Sequence, residues 1–245
     1  MVKENLKVIY NHKIALDTFE MKLETASMAN LAKPGMFINI SLNDQSKLLK
    51  RPISICQIDG NNLIITYKIN GEGTKLLSTY PTGTILEAIG PLGKGFPVVS
   101  NQTTLLVGGG IGVPPLLELA KELKKENNNI ITILAFRDQD SMIYLNEFEK
   151  LGKVIVTTDN GSYGYHGNAI MYLDEKNIEF DTLYSCGPEI LLKLLEEKYR
   201  GKNGYLSYEA RMACGVGLCH GCVKGEKHYC VCTDGPVFKL GVIYE

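Results

Sequence analysis

Five cysteines fall within a stretch of nineteen residues, and this cluster constrains the chain more than any other feature. Within residues 214–222, four residues and then two separate successive thiols, which is the spacing of the three-ligand loop of a plant-type [2Fe–2S] site. Glycines at positions 215, 217 and 221 let the backbone curl around the inorganic core and direct amide N–H groups at its sulfurs. The spacing therefore predicts a [2Fe–2S] centre whose fourth ligand lies downstream.

The fourth ligand is either Cys230 or Cys232, because spacing alone does not separate two cysteines that are one residue apart. Residues 233–236, Thr-Asp-Gly-Pro, form a turn directly after Cys232, which presents that thiol on a fixed backbone where the chain reverses. We therefore favour Cys232 and keep Cys230 as the alternative. The predicted metal ligands are Cys214, Cys219, Cys222 and Cys232.

A zinc site is the main alternative use of these cysteines. Zinc ribbons usually carry two C-x2-C knuckles, whereas residues 214–222 combine one such knuckle with a C-x4-C. A Rieske centre needs paired histidines in place of two cysteines, and we interpret His220 and His228 as surface histidines. The chain has seven cysteines, an odd count, so a disulfide framework explains them poorly.

The composition is that of a globular chain and argues against several functions. Of 245 residues, 44% are apolar and 22% charged, which argues against disorder and a coiled coil. A net charge of −1 provides no basic field, so no nucleic-acid partner is expected. No apolar run approaches the ~20 residues of a membrane span, and residues 1–7 lack the apolar core of a signal peptide. We expect a cytoplasmic protein with no membrane partner.

Residues 1–100 predict a small antiparallel β-barrel. Short apolar stretches alternate with turns rich in glycine, proline, asparagine and aspartate, and no long helical period appears. The stretches lie at residues 7–10, 36–40, 53–55, 63–67 and 84–88.

Residues 101–200 predict a doubly wound parallel sheet. An apolar strand at 103–107 leads through a glycine turn into an amphipathic helix, and strands and helices then alternate. Such alternation implies a parallel sheet whose ligands sit at the carboxyl ends of the strands. The helix carries Leu116, Leu119, Ala120 and Leu123 on one face, and further strands are expected at 130–135, 154–157 and 182–185.

Residues 201–245 form a third, small segment. Its cysteine-rich part contains few large apolar residues, so it cannot build a core of its own. A bound metal centre would supply the missing restraint.

Three segments of the chain carry groups that could bind phosphate. Residues 108–112 open a helix after a strand, although the third glycine of the regular G-x-G-x-x-G pattern is missing, and a plain strand-to-helix turn is the alternative. Arg51 and Ser54 place a guanidinium fork and a hydroxyl at the start of a strand. Residues 71–74 open a helix with free N–H groups and a threonine hydroxyl. Tyr67, on a predicted strand, could stack on a ring.

Taken together, these motifs resemble the ferredoxin–NADP reductase superfamily over essentially the whole chain, and within it the family of dihydroorotate dehydrogenase B electron-transfer subunits. Residues 51–54 resemble the R-x-[YF]-S flavin motif, with Ile53 in place of the aromatic residue. Residues 71–74 match the G-x-G-T phosphate turn, and residues 108–115 resemble the glycine motif of the nicotinamide domain. Further matches are residues 159–162, with Asn160 altering a D-G-S loop, residues 186–188 and, most specifically, residues 209–215 with 232–238.

The resemblance implies a relay of electrons. An FMN-containing dihydroorotate dehydrogenase catalytic subunit would oxidise dihydroorotate, and electrons would pass through the [2Fe–2S] cluster and FAD to NAD+, in pyrimidine biosynthesis. FAD would lie between the barrel and the nucleotide domain, and the complex would be a heterotetramer with two copies of each subunit. Proton abstraction from dihydroorotate would belong to the partner, so no catalytic acid or base is predicted in this chain.

Two other functions fit parts of the pattern. The flavoprotein subunit of a ferredoxin:NADP transhydrogenase or of a sulfhydrogenase shares the order of modules. A zinc-stabilised scaffold with a vestigial nucleotide domain would be a colourless protein without enzyme activity.

The choice between NAD and NADP depends on the region after the second nucleotide strand. Arg137 could accept a 2′-phosphate, but Asp138 and Asp140 would repel one, which favours NAD. We interpret Cys186 as lining the nicotinamide position and not as a nucleophile. The predicted cofactor-binding residues are Arg51, Pro52, Ile53, Ser54, Thr66, Tyr67, Lys68, Gly73, Thr74, Gly109, Gly110, Gly112, Cys186 and Gly187.

Overall fold

The computed structural model describes residues 1–244, and the amino-terminal part folds as a closed antiparallel barrel. Its elements are β1 (Val2–Ala15), β2 (Thr18–Glu24), α1 (Met28–Leu31), β3 (Phe37–Ile40), β4 (Arg51–Asp59), β5 (Asn62–Lys68), α2 (Glu72–Leu77) and β6 (Ile85–Leu92). The strands follow one another around the barrel in the order β1-β2-β5-β4-β3-β6. The predicted barrel is therefore confirmed, with six strands.

Strand β5 shows how the sequence builds the two faces of the barrel wall. Leu63, Ile65 and Tyr67 are buried in the barrel core, as expected for alternate residues of a strand. Thr66 and Lys68 lie on the opposite face, outside the barrel. This outer face is the one that meets the second domain.

The second domain is a seven-stranded sheet flanked by helices. Its elements are β7 (Thr103–Gly109), α3 (Pro114–Lys125), β8 (Asn129–Phe136), α4 (Leu145–Glu149), β9 (Lys153–Thr158), β10 (Tyr165–His166), α5 (Ala169–Glu175), β11 (Thr182–Cys186), α6 (Glu189–Lys198), β12 (Asn203–Ser207) and β15 (Val237–Lys239). The order is β10-β9-β8-β7-β11-β12-β15, and all neighbours are parallel except β12 and β15. This confirms the doubly wound sheet. None of the helices within residues 1–244 has the length and apolar character of a membrane span.

Helix α3 joins the two domains. It begins at Pro114, which suits the first helical position because proline has no N–H to leave unpaired there. All four residues of the predicted apolar face are fully buried. On its other side, the Glu118 carboxylate accepts a hydrogen bond from the backbone N–H of Ile58 on β4 at 3.0 Å, and the Lys121 ammonium donates to the Gln57 side chain at 2.7 Å. The helix therefore fixes the barrel against the sheet.

The carboxyl-terminal segment packs on the sheet domain instead of standing apart. Strands β12 and β15 extend the sheet, and between them lies a short hairpin of β13 (Val223–Lys224) and β14 (Tyr229–Cys230). Cys222, Val231 and Cys232 belong to the same buried cluster as Leu206 and Phe238 of the sheet. The segment, whose own composition provides few large apolar residues, is therefore buried against the core of the sheet domain. The division at residues 100 and 200 itself stays a prediction.

We expect Glu196→Ala to loosen the attachment of this segment to helix α6. The Glu196 carboxylate is buried and accepts hydrogen bonds from the Tyr208 hydroxyl and from the Gly241 backbone N–H, both at 2.7 Å. The variant leaves the buried Tyr208 hydroxyl without its acceptor, which should lower the free energy of unfolding by about 2–3 kcal/mol. Thermal unfolding followed by circular dichroism measures the change. Glu197→Ala, at an exposed neighbouring position, is the control, and equal midpoints for the two variants would contradict the prediction.

Candidate functional site

A cleft of about 510 Å³ lies between the outer face of the barrel and the carboxyl end of the sheet. Sites for small molecules and cofactors span roughly 300–1,000 Å³, so the cleft is large enough for part of a dinucleotide. It is lined by β4 and β5, by the turns after β7 and β11, and by residues after β12. Seven of the predicted cofactor residues line it: Pro52, Ile53, Ser54, Thr66, Tyr67, Lys68 and Cys186.

Arg51 and Gly73 lie against each other next to the barrel side of this cleft. A Cβ atom at Gly73 would come within 2.0 Å of the Arg51 Nε atom, so only glycine leaves the guanidinium in its place. The guanidinium also donates to the Leu49 carbonyl at 2.5 Å. The Thr74 hydroxyl accepts from the Asn70 N–H at 2.7 Å and thereby closes the turn before α2. The structure thus brings the two predicted phosphate-binding motifs of the barrel together.

The turns after β7 and β11 form the opposite wall of the cleft. Cys186 ends β11 in register with Gly108 of β7, and the two turns then pack backbone to backbone. A Cβ atom at Gly112 would lie 2.3 Å from the Cys186 carbonyl oxygen, and one at Gly187 would lie 3.0 Å from the Gly109 nitrogen. These glycines are therefore required for the close approach of the two turns.

Cys186 is a buried thiol and not an activated nucleophile. Burial raises its pKa to about 12, the charge of Glu209 adds to this rise, and the Ser207 side chain opposes it. The thiol is therefore protonated at neutral pH. Its position in the cleft wall agrees with the interpretation of Cys186 as a lining residue.

A second cavity, of about 430 Å³, lies at the carboxyl ends of β7, β8 and β9. Gly109 and Gly110 line it together with Arg137 and Asp159. The Arg137 Nε atom is 2.8 Å from the Asp138 carboxylate. Hydrogen bonds from Ser141, and then from Arg137, lower the pKa of Asp138, which keeps that carboxylate charged. Because the Arg137 charge is already paired, this cavity suits a dinucleotide without a 2′-phosphate.

The cysteine loop directs backbone N–H groups at its sulfurs. The Cys214 sulfur accepts from the N–H groups of Val216 and Cys219, both at 3.4 Å. Gly221 donates to the Cys219 sulfur at 3.5 Å, and Gly217 donates to the Cys232 sulfur at 3.2 Å. Gly217 has a φ of 82°, in the left-handed region that favours glycine.

This environment favours the thiolate form of Cys214. Burial opposes ionisation of Cys214, but the N–H groups of Val216 and Cys219 outweigh it and lower the pKa of the Cys214 thiol to about 6. Among residues 1–244, no three His, Cys, Asp or Glu side chains are arranged to hold a single metal ion. The N–H groups around the sulfurs are what a negatively charged iron–sulfur core requires, so the residues fit such a group.

Cys230 and Cys232 have different surroundings. The Cys232 sulfur accepts the Gly217 N–H, and the Cys232 N–H points at the Cys222 sulfur at 3.5 Å. The Cys230 sulfur is 3.5 Å from the His220 ring nitrogen Nδ1. Cys232 therefore shares the amide environment of the first three cysteines, which favours it as the fourth ligand.

No cofactor contact was predicted for the residues that connect the cleft to the cysteine loop. Tyr208, Glu209 and Met212 line the cleft, and Cys214 follows two residues after Met212. Burial raises the pKa of the Glu209 carboxyl. For Glu209 and Met212, the signal in the sequence is the motif of residues 209–215, which carries part of the family resemblance and leads into the first cysteine of the loop. Their placement means that the two candidate cofactor positions adjoin each other.

Comparison with known proteins agrees with this geometry. Residues 209–243 match the family model described as the iron–sulfur cluster binding domain of dihydroorotate dehydrogenase B. The chain is 41% identical over 256 aligned residues to the dihydroorotate dehydrogenase B (NAD(+)) electron transfer subunit of Bacillus cereus (strain G9842), and the alignment covers 99% of each chain.

Solved structures show the same fold. An NADH-dependent reduced ferredoxin-NADP oxidoreductase superposes with a TM-score of 0.87 at 33% identity, over 96% of this chain and 87% of that one. A ferredoxin NADP+ reductase from Neisseria gonorrhoeae superposes with a TM-score of 0.68 at 13% identity, over 80% and 89%, which shows the fold alone.

The barrel, the doubly wound sheet and the cysteine loop define an iron–sulfur flavoprotein of the ferredoxin reductase class, an oxidoreductase component that uses FAD, a [2Fe–2S] cluster and NAD. Within that class, the chain belongs to the family of dihydroorotate dehydrogenase B electron transfer subunits.

Proposed function

We propose that this chain carries electrons from the FMN of a dihydroorotate dehydrogenase catalytic subunit to NAD+, in pyrimidine biosynthesis. The observation that carries the proposal is that the cleft and the cysteine loop adjoin each other, because Met212 lines the cleft and Cys214 begins the loop. When bound, a [2Fe–2S] cluster supplies single electrons and a flavin supplies the exchange between one-electron and two-electron transfer. A nicotinamide acceptor takes up two electrons together, so a flavin must stand between it and a cluster that passes single electrons.

Each wall of the site has a separate task in this proposal. The thiols of Cys214, Cys219, Cys222 and Cys232 hold the cluster, and the N–H groups of the loop stabilise their negative charge. The outer face of β4 and β5 binds the flavin ring, and Arg51, Gly73 and Thr74 bind its diphosphate. The turns at Gly109, Gly110, Gly112 and Gly187 receive the nicotinamide dinucleotide.

The partner subunit would dock over the cysteine loop, in a heterotetramer with two copies of each chain. Leu218 lies within the loop and is 81% exposed, so an apolar side chain is available on this face for contact with the partner subunit. None of the seven cysteines, all within residues 1–244, forms a disulfide, which supports a reducing compartment and therefore the cytoplasm as the location.

The test is an anaerobic visible spectrum of the purified full chain, with iron and acid-labile sulfide counted, before and after NADH is added. We expect flavin bands and equal amounts of iron and sulfide, with the flavin bands bleached by NADH. A colourless protein that contains zinc would overturn the proposal. Mixing with the catalytic subunit then distinguishes the partner: NADH formation that depends on dihydroorotate supports it, whereas NADP reduction from ferredoxin alone supports the transhydrogenase alternative.

A further inference from the structure

A chain of hydrogen-bonded side chains crosses the interface between the two domains and ends at the cleft. The Glu20 carboxylate on β2 accepts a hydrogen bond from the Tyr144 hydroxyl at 2.6 Å. The Tyr144 oxygen lies 2.5 Å from the hydroxyl oxygen of Thr66, and Thr66 lines the cleft. At the other end, the half-exposed His12 ring lies 4.0 Å from Glu20. The chain therefore connects solvent to the wall of the cleft.

Tyr144 is held in place by an unusual backbone conformation. It lies directly before α4 with a φ of 62°, in the left-handed region, which is uncommon for a bulky residue and marks a constrained position. Burial, the neighbouring Cys56 thiol and the Glu20 carboxylate all raise the pKa of Tyr144. Its side chain therefore stays a neutral hydroxyl, which can donate one hydrogen bond and accept another at the same time.

The proposed function requires one proton at the cleft in each turnover. Reduction of the acceptor follows NAD+ + 2e− + H+ → NADH, and dihydroorotate oxidation in the partner supplies the two electrons. Electrons that arrive through an iron–sulfur cluster bring no proton with them. A proton must therefore reach the cleft by a route separate from that of the electrons.

We propose that Glu20, Tyr144 and Thr66 relay this proton from solvent to the cleft. In the structure the Tyr144 hydroxyl donates to Glu20, so both hydroxyls must turn toward the cleft once Glu20 takes up a proton. Tyr144 then accepts the Glu20 proton and passes its own to the Thr66 oxygen, and Thr66 would pass its own to the flavin ring bound in the cleft. Each hydroxyl gains one O–H bond and loses one, so the net change is the transfer of one proton. Solvent returns a proton to Glu20, whose side chain is 13% exposed. This inference rests on the proposed function, because it needs electrons and protons to arrive by separate routes.

Reduction of the bound flavin by two different reductants distinguishes a proton relay through Tyr144 from a purely structural role of Tyr144. Reduced methyl viologen delivers electrons without a proton, whereas NADH delivers hydride and carries its own hydrogen. The measurement is stopped-flow bleaching of the flavin in the full holoprotein with each reductant. In Tyr144→Phe, the rate with viologen divided by the rate with NADH should fall about 10²-fold, the lower end of the range for the loss of a positioned proton-transfer group. The solvent deuterium isotope effect on the viologen reaction should change with it.

Tyr10→Phe is the matched control. The Tyr10 hydroxyl donates to the other oxygen of the same Glu20 carboxylate, at 2.8 Å, but lies off the path to the cleft. Its removal should leave the ratio of the two rates as in the unmodified protein. If Tyr144→Phe does not retain the flavin, Glu20→Gln provides the second variant, because an amide keeps the shape but does not pass a proton.

The outcomes are distinct. An unchanged ratio in both Tyr144→Phe and Glu20→Gln would overturn the relay, and so would a fall in Glu209→Gln alone, since Glu209 is a carboxyl that lines the cleft itself. An equal slowing with both reductants would show that Tyr144 only holds the domains together. Failure of NADH to bleach the flavin of the unmodified protein would count against the proposed function itself.

Discussion

Cys232→Ser is expected to remove the iron–sulfur absorbance and the dihydroorotate-driven formation of NADH, whereas Cys230→Ser is expected to keep both. The Cys232 sulfur accepts the N–H of Gly217, which lies inside the loop between Cys214 and Cys219. It is therefore held within the same set of amide donors as the other proposed ligands. Serine provides no thiolate, which is the ligand that iron–sulfur clusters take. Loss of the fourth ligand should therefore cost the cluster outright.

Cys230 has different contacts and lies in the β13–β14 hairpin. It ends strand β14, its N–H donates to the Asp234 carboxylate at 2.8 Å, and its buried sulfur lies beside His220. Burial raises the pKa of both the Cys230 and the Cys232 thiol, so the hydrogen bonds and not the pKa values distinguish the two cysteines. Serine is close in size and keeps the backbone contact, so the hairpin should survive the replacement.

Iron and sulfide analysis of both variants, with visible spectra, provides the measurement. Bleaching of the flavin by NADH is the internal control, because the cleft that would hold the flavin is built from β4, β5 and the glycine turns. Both variants should retain it. If Cys230→Ser lost its iron while Cys232→Ser kept it, Cys230 would be the fourth ligand, and the turn after Cys232 would not indicate the ligand position.

Local patterns explain why the fold was predictable. The alternation of Leu63, Ile65 and Tyr67 in β5 and the helical spacing of the buried face of α3 are set by residues close in sequence. The order of these elements then limits the topology to a barrel followed by a doubly wound sheet. The cysteine spacing was equally local, which is why the loop could be identified from residues 214–222 alone.

Long-range contacts explain what the sequence did not show. Tyr144 meets Thr66 across 78 positions and Glu20 across 124, and no periodicity relates residues so far apart. The same holds for Glu209, whose place in the cleft depends on how β12 joins the sheet. Residues of this kind gain a role only when two domains meet, so a pattern within one element does not indicate them.

Gly112→Ala is expected to have the largest effect on the reaction with nicotinamide. A Cβ atom at this position would lie 2.3 Å from the Cys186 carbonyl oxygen and 2.5 Å from the Gly187 Cα atom. Both are backbone atoms, so the clash is relieved only if the turn after β7 moves away from the turn after β11. A displacement of about 1 Å at a reacting site costs roughly 10²-fold in rate, and the overpacking costs about 1–3 kcal/mol of stability. Stopped-flow bleaching of the flavin by NADH measures the first effect, and thermal unfolding the second.

Gly108→Ala provides a graded comparison in the same turn. Its Cβ atom would meet the Val113 side chain at 2.9 Å and the Leu116 side chain at 3.3 Å, and its closest backbone contact is 3.1 Å, at the Val113 Cα atom. Side chains can move aside, so Gly108→Ala should slow the bleaching of the flavin by NADH less than Gly112→Ala does. Because neither substitution touches the thiols, both proteins should keep their iron and sulfide. An NADH rate in Gly112→Ala equal to that of the unmodified protein would mean that the reaction with nicotinamide does not depend on the contact between these two turns.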